Sequence, residues 1–178
     1  MKLSIREMEQ GDIPKIVSYF VDADSDFLRG MGADISKLPT RQEWIDKLHG
    51  EMNKSYELKE YYYVVWLADG EAVGHSNINN IDFGNTATMH LHLWNRELRK
   101  QGLGSKFLRM TIPRYFKHFH LTHLICEPKA DNAAPNHTLI KLGFNKIRTY
   151  ETTPGWINFH QTVTRYQLQA SALDNWIN

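Results

Sequence analysis

Between Thr86 and Met110 the chain reads TATMHLHLWNRELRKQGLGSKFLRM, and no other stretch restricts the fold as tightly. Ala87, Met89, Leu91 and Leu93 alternate with Thr88, His90, His92 and Trp94, the period of two that marks a strand with both faces occupied. Arg99, Gly102 and Gly104 follow in the order R-x-x-G-x-G, and Leu103, Phe107 and Leu108 begin a helical stripe. Glycines at the mouth of a helix let backbone approach a ligand closely, and the free amides and helix dipole there favour an anion such as a phosphate. Arg99, Lys100 and Lys106 add positive charge. The stretch therefore predicts a strand, a phosphate cradle and a helix, in that order. A Walker loop is excluded, because its Lys should precede a Ser or Thr and the order here is Gly104-Ser105-Lys106. A dinucleotide fingerprint is excluded too, since its third glycine position holds Phe107.

Downstream, the apolar strand His123-Leu124-Ile125-Cys126 leads into EPKADNAAPNHTLIKLGF, residues 127–144. Together the two stretches resemble the GNAT superfamily of N-acetyltransferases. In that family an R/Q-x-x-G-x-G/A loop binds the pyrophosphate of acetyl-CoA, and a later strand leads to an Asn and a helix ending in K-x-G-F. Asn132, Lys141, Gly143 and Phe144 stand where that pattern puts them, and the resemblance runs over roughly residues 60–168. It implies an α/β (α+β) fold: a mixed, mostly antiparallel twisted sheet flanked by helices. It also implies acetyl-CoA as cosubstrate, with no metal. The backbone of His92, Leu93 and Trp94 would hold the pantetheine arm, and Arg99, Lys100, Gln101, Gly102, Leu103, Gly104 and Ser105 the pyrophosphate. Asn132 and Pro135 would complete the cofactor site from the next helix.

A chain of 178 residues is one domain by length, here residues 1–178, with 42% hydrophobic and 23% charged residues as in ordinary soluble proteins. A formal net charge of +1 argues against nucleic-acid binding by bulk electrostatics. One cysteine, Cys126, excludes an internal disulfide and suits a reducing compartment. The N-terminus MKLSIREMEQGD has no apolar core of a signal peptide, and no run is long enough to span a bilayer, so the expectation is a cytoplasmic enzyme away from membranes. No internal repeat or low-complexity tract is visible. Homodimerisation stays open.

Along the chain, Leu3–Met8 is a first strand, and Asp12 caps a helix over residues 12–21 with Pro14 just inside its start. The segment from Val21 to Asp34 carries Asp22, Asp24 and Asp26 within five positions. Thr40 and Glu43 form a capping box ahead of Trp44, Ile45, Leu48 and Met52. Tyr61–Leu67 is the strongest strand by composition, Asp69-Gly70 a hairpin turn, and residues 72–81 the returning strand. The helix after the cradle covers residues 104–118, with Pro113 expected to bend or interrupt it. A further helix starts at Asp131 or Asn132, and a final hairpin joins residues 144–150 and 159–168. The tail 170–178 would form a short docking helix.

Transfer of acetyl from a thioester to an amine needs the amine deprotonated, the carbonyl oxygen stabilised and the thiolate released. His90 lies nine residues before Arg99, near where several GNAT subfamilies place a Glu or His as general base. An imidazole suits that task by its ordinary pKa near 6.5. His92 is the second candidate and Glu127 the third; strand packing is the alternative for the two histidines and a solvated loop carboxylate for Glu127. Zinc binding by His90 and His92 is set aside because no third ligand is visible. Many GNAT enzymes place a Tyr seven residues after the helix Asn to protonate the thiolate, and here that position is Leu139. In this fold the loop after the first helix borders the acceptor site, so Asp22, Asp24 and Asp26 would attract a cationic amine. The partner implied is a small-molecule or peptide amine acceptor. The competing class is a non-catalytic acyl-CoA-binding or regulatory module, for which Leu139 in place of Tyr speaks.

Overall fold

The computed structural model describes residues 1–176. Seven strands form one sheet in the order β1-β2-β3-β4-β5-β7-β6. They are β1 (Leu3–Glu7), β2 (Tyr62–Ala68), β3 (Glu71–Asp82), β4 (Thr86–Leu93), β5 (His123–Cys126), β6 (Asn145–Thr152) and β7 (Gln161–Gln169). Every neighbouring pair is antiparallel except β4 and β5. That parallel pair is joined through α4 (Leu103–Phe119), the helical crossover that parallel strands require. The mixed, mostly antiparallel sheet flanked by helices is the architecture expected from the sequence.

Alternation along β2 divides the interior into two layers. Tyr62, Val64 and Trp66 point into a core with α4 and with Leu139 of α5 (Ala133–Lys141). Tyr63 points into a second core with α1 (Ile13–Val21), α2 (Ser25–Gly30) and α3 (Arg41–Met52). In the first, Trp66 stacks on Phe107 with ring centroids 5.0 Å apart and donates its indole N–H to the Thr111 hydroxyl at 3.0 Å. A buried polar chain runs from the Tyr115 hydroxyl to Ser76 Oγ (2.9 Å) and on to the His90 carbonyl (2.6 Å), fixing α4 and β3 against β4.

Local signals explain most boundaries. Thr40 and Glu43 form the capping box at the start of α3, and Asp69 and Gly70 both take positive φ, as the tight two-residue hairpin turn requires. After α5, Gly143 donates to the Ile140 carbonyl and Phe144 to the Leu139 carbonyl, the Schellman pattern that a positive-φ glycine permits.

Three expectations need correction. Pro113 does not interrupt α4: it sits on the exposed face, where water can satisfy the carbonyl its missing N–H leaves free, while Ile112, Tyr115 and Phe116 hold the buried face. Asp12 precedes α1, but its carboxylate accepts from Arg6 and from the Glu9 amide instead of capping the helix. The acidic segment contains α2, whose N-cap is Asp24, accepting from the Phe27 amide at 2.8 Å. The tail forms a 3-10 segment over Ala170–Trp176, with Trp176 against the core and Arg109 over its ring. Ile177 and Asn178 lie outside the described residues.

Candidate functional site

The parallel pair β4–β5 is in register over only three residues, Thr86–Thr88 against His123–Ile125. Beyond them β4 runs on to Leu93 with β3 on one side and, among the described residues, no strand on the other. Peptide groups of an antiparallel strand face its neighbour at alternate residues. Trp94 donates its amide to the Val73 carbonyl at 2.8 Å, so residues 90, 92 and 94 turn their peptide groups toward β3 and residues 89, 91 and 93 toward the gap. The pantetheine contacts expected at His92 and Trp94 are therefore already committed inside the sheet. Leu91 carries the groups on the open edge, while the Leu93 carbonyl on that side accepts from Arg99. Gly74, opposite Leu93, lets β4 come close at this point: a Cβ there would lie 2.5 Å from the His92 carbonyl oxygen.

Past the edge, the chain turns through residues 94–102 into α4. Lys100 and Gly102 take positive φ, and Gly102 stands at the N-cap with no side chain to serve the first amides of the helix. Those amides remain free for an anion. A Cβ on Gly104 would meet no atom within 4 Å, so the chain itself has no steric need for glycine there. Arg99 departs from expectation. Its guanidinium donates to the Leu93 carbonyl at 2.9 and 3.2 Å and stacks over Phe27, tying the loop to the end of β4. Gln101 donates to the Glu97 carbonyl at 2.8 Å, while Lys100 is exposed. Across the gap, Asn132 stands at the N-cap of α5 without capping a helix amide, and Pro135 lies in the first turn.

The side chains of His90 and His92 project from β4 into a cavity of about 120 Å³ on the α1–α3 face of the sheet. Asn77 and Asn79 of β3, Tyr63, and Trp44 share its wall, and the turn at Gly155–Asn158 roofs it. That roof is anchored: Asp34 donates its amide to the Ile157 carbonyl at 2.7 Å, and Asn158 and Gln161 each donate to the Gly32 carbonyl at 2.8 Å. Sequence patterns give no warning of this convergence, since the wall comes from α3, β2, β3, β4 and the β6–β7 turn.

Burial sets the protonation of the histidines. It pushes His90 down to about 4 and His75 to about 3, and holds His92 well below the ordinary imidazole value. All three are neutral at pH 7. His90 Nε2 lies 3.1 Å from Asn79 Oδ1, an acceptor, which assigns the proton to Nε2 and leaves Nδ1 with its lone pair. Trp94 donates its indole N–H to His75 Nδ1 at 2.8 Å. Among the described residues His75 Nε2 and His92 Nδ1 are buried without partners, with their rings 4.8 Å apart.

These neutral histidines carry a stability prediction. An unfolded His takes up a proton below about pH 6.5, while His75 in the folded chain resists until about pH 3. Across that window the unfolded state binds more protons, so stability falls as pH falls. For His75 alone the expected loss between pH 7 and pH 5 is roughly 2 kcal/mol. Urea midpoints at the two pH values check it, and His75→Gln, which keeps an acceptor for Trp94, should flatten the difference. Equal flattening must be absent from a variant of an exposed histidine such as His160.

The other candidate residues have local duties. Glu127 accepts from the Tyr150 hydroxyl and lies 3.6 Å from Arg165, fastening β5 to the final hairpin, and it does not line the cavity. Asp22 pairs with Arg41 at 2.5 Å and Asp24 with Arg96 at 3.1 Å; Asp26 is exposed in the first turn of α2. None of the three lines the cavity; Asp22 and Asp24 are held in ion pairs and Asp24 also in a cap. Burial raises the Cys126 thiol to about 12, which removes it as a nucleophile. Leu139 is fully buried in the core beneath α5. Among the described residues no three potential metal ligands gather, and no helix is long and apolar enough to cross a membrane.

Solved structures share this fold over nearly the whole chain. A ribosomal L7/L12 alpha-N-protein acetyltransferase in complex with coenzyme A matches with a TM-score of 0.77 at 15% identity, over 97% of this chain and 96% of that one. Ribosomal-protein-S5-alanine acetyltransferase from Vibrio fischeri gives 0.76 at 18% identity, over 99% and 96%. Spermidine N-acetyltransferase from Vibrio cholerae, in complex with CoA and spermine, gives 0.74 at 17% identity, over 99% and 98%. Comparison with curated proteins finds no match. The family described as acetyltransferase (GNAT) domain matches residues 2–145, and the chain belongs to it. It is an N-acetyltransferase.

Proposed function

We propose that residues 1–178 form one acetyltransferase domain that moves the acetyl group of acetyl-CoA onto a primary amine by direct attack in a ternary complex. The observation that carries this reading is the double duty of β4. Its open edge at Leu91 can pair with the amides of pantetheine, while His90 and His92 of the same strand face the polar cavity. The free amides of α4 beside Gly102 and Gly104 suit the pyrophosphate, and Lys100 and Ser105 flank them. Asn132 and Pro135 border the same cleft from α5.

In this proposal the acceptor ammonium passes a proton toward His90 Nδ1. The freed nitrogen attacks the thioester carbonyl carbon, and the C–S bond breaks with its electron pair on sulfur. Of the two protons the nitrogen loses, one ends on the thiolate, delivered by water, and one is released to solvent. His92 lies beside His90 and shapes the pocket; its own burial makes it the poorer proton acceptor. The acceptor is a small-molecule or peptide amine, the class on which spermidine N-acetyltransferase and the ribosomal-protein acetyltransferases act. A cytoplasmic setting belongs to the same proposal and is supported by the buried, unpaired Cys126. Leu139 loses its weight for a non-catalytic module, because a side chain sealed in the core says nothing about chemistry in the cleft.

The test is release of free thiol from acetyl-CoA across a broad panel of amines. We expect turnover that depends on both the amine and the enzyme. Coenzyme A binding by calorimetry without turnover of any amine favours the non-catalytic module instead.

A further inference from the structure

Among the described residues the wall of the acceptor cavity carries a single formal charge, and it is positive. Lys47 of α3 stands at the mouth, donating to the Tyr61 hydroxyl at 3.0 Å. Its Nζ lies 4.3 Å from the centroid of the Tyr61 ring and 5.0 Å from that of Trp156. Among the described residues no carboxylate is paired with it. Of the acids on the surrounding segments, Asp22 is paired with Arg41, Asp34 accepts from Ser36, Asp46 from Gln42 and Glu43 from Thr40, and none lines the cavity. The other polar groups of the wall are tyrosines, asparagines and the two neutral histidines. Trp156 is 46% exposed, a large aromatic face held open at the entrance beside an ammonium.

This arrangement disfavours a polycation. A second ammonium on the acceptor would meet the exposed Lys47 at the mouth, with no carboxylate on the cavity wall to offset the repulsion between like charges. A carboxylate on the acceptor would meet a counter-ion already positioned by two aromatic rings and a hydroxyl. Resting on the acetyltransferase reading above, we infer that the acceptor is a small amine carrying a carboxylate on the same molecule, and that Lys47 is the residue that selects it. The amine end reaches His90 at the floor, and the carboxylate end stays with Lys47 at the mouth.

The test uses the whole enzyme, acetyl-CoA and matched acceptors. These are a series of ω-amino carboxylates and one aromatic amino acid, their carboxamides, and diamines of the same lengths. Thiol release gives kcat and KM for each. The carboxylates should show the lowest KM. Lys47→Ala should raise their KM about tenfold or more, the worth of one charge-assisted hydrogen bond, with kcat changed far less. Lys47→Arg should restore most of the affinity, and Lys47→Glu should invert the order in favour of diamines. If carboxamides or diamines match the carboxylates in the native enzyme, or Lys47→Ala leaves the carboxylate KM in place, the inference is overturned while the acetyltransferase reading stands. If no amine of any class is turned over, both fall together.

Discussion

Gly104→Glu should fold at least as well as the native chain and bind coenzyme A about 100-fold more weakly, or worse. The two halves of that expectation have separate causes. Position 104 lies in the first turn of α4, a Cβ there meets no atom within 4 Å, and its φ is not positive. Replacing glycine in a helix recovers roughly 0.5–1 kcal/mol of backbone entropy, and a carboxylate in the first turn interacts favourably with the helix dipole. The same carboxylate blocks close approach to the free amides and repels a pyrophosphate. Thermal unfolding and calorimetry with coenzyme A read the two effects independently. Gly102 is the poorer choice, because its φ of 72° would strain any other residue and confuse folding with binding. Unaltered coenzyme A affinity in a well-folded Gly104→Glu protein would remove this loop from the cofactor site.

His90→Gln should lower kcat/KM by about 10²–10⁴-fold, the usual worth of a positioned acid–base group. Its burial argues for the lower end. With the proton leaving near pH 4, the imidazole is neutral and available throughout the physiological range, yet it is a weak base for an ammonium. The acidic limb of the kcat/KM profile in the native enzyme should therefore fall near pH 4, not near 6.5, since activity is lost only when His90 becomes protonated. In His90→Gln that limb should disappear. Coenzyme A affinity should survive, because the open edge offers main-chain groups at Leu91 and not the His90 side chain. An acidic limb that stays in place in the variant would move the base elsewhere, with His92 next.

How much of this was legible beforehand depends on the range of the interaction involved. The strand from Thr86, the glycine loop, the helix behind it and the capping box at Thr40 follow from rules acting within a few residues. Periodicity, helix caps and glycine conformation are local, so a linear sequence displays them. Local signals also misled where context answers them. Pro113 reads as a break until its place on the wet face of α4 is known. Asp22 and Asp24 read as free loop carboxylates until Arg41 and Arg96, distant in sequence, are found beside them.

The sequence alone determined that β4 would alternate and that His90 and His92 would share a face, because side chains of a strand repeat every two residues. Only the tertiary structure decided which peptide groups of β4 face the gap, since that depends on the hydrogen-bond phase set by Trp94 and Val73. It also decided that burial would hold the histidines neutral and that Lys47 would be the charged side chain on the cavity wall among the described residues. Dielectric environment and charge pairing belong to residues brought together from α3, β2, β4 and the last turn of the chain, and no local pattern encodes their meeting.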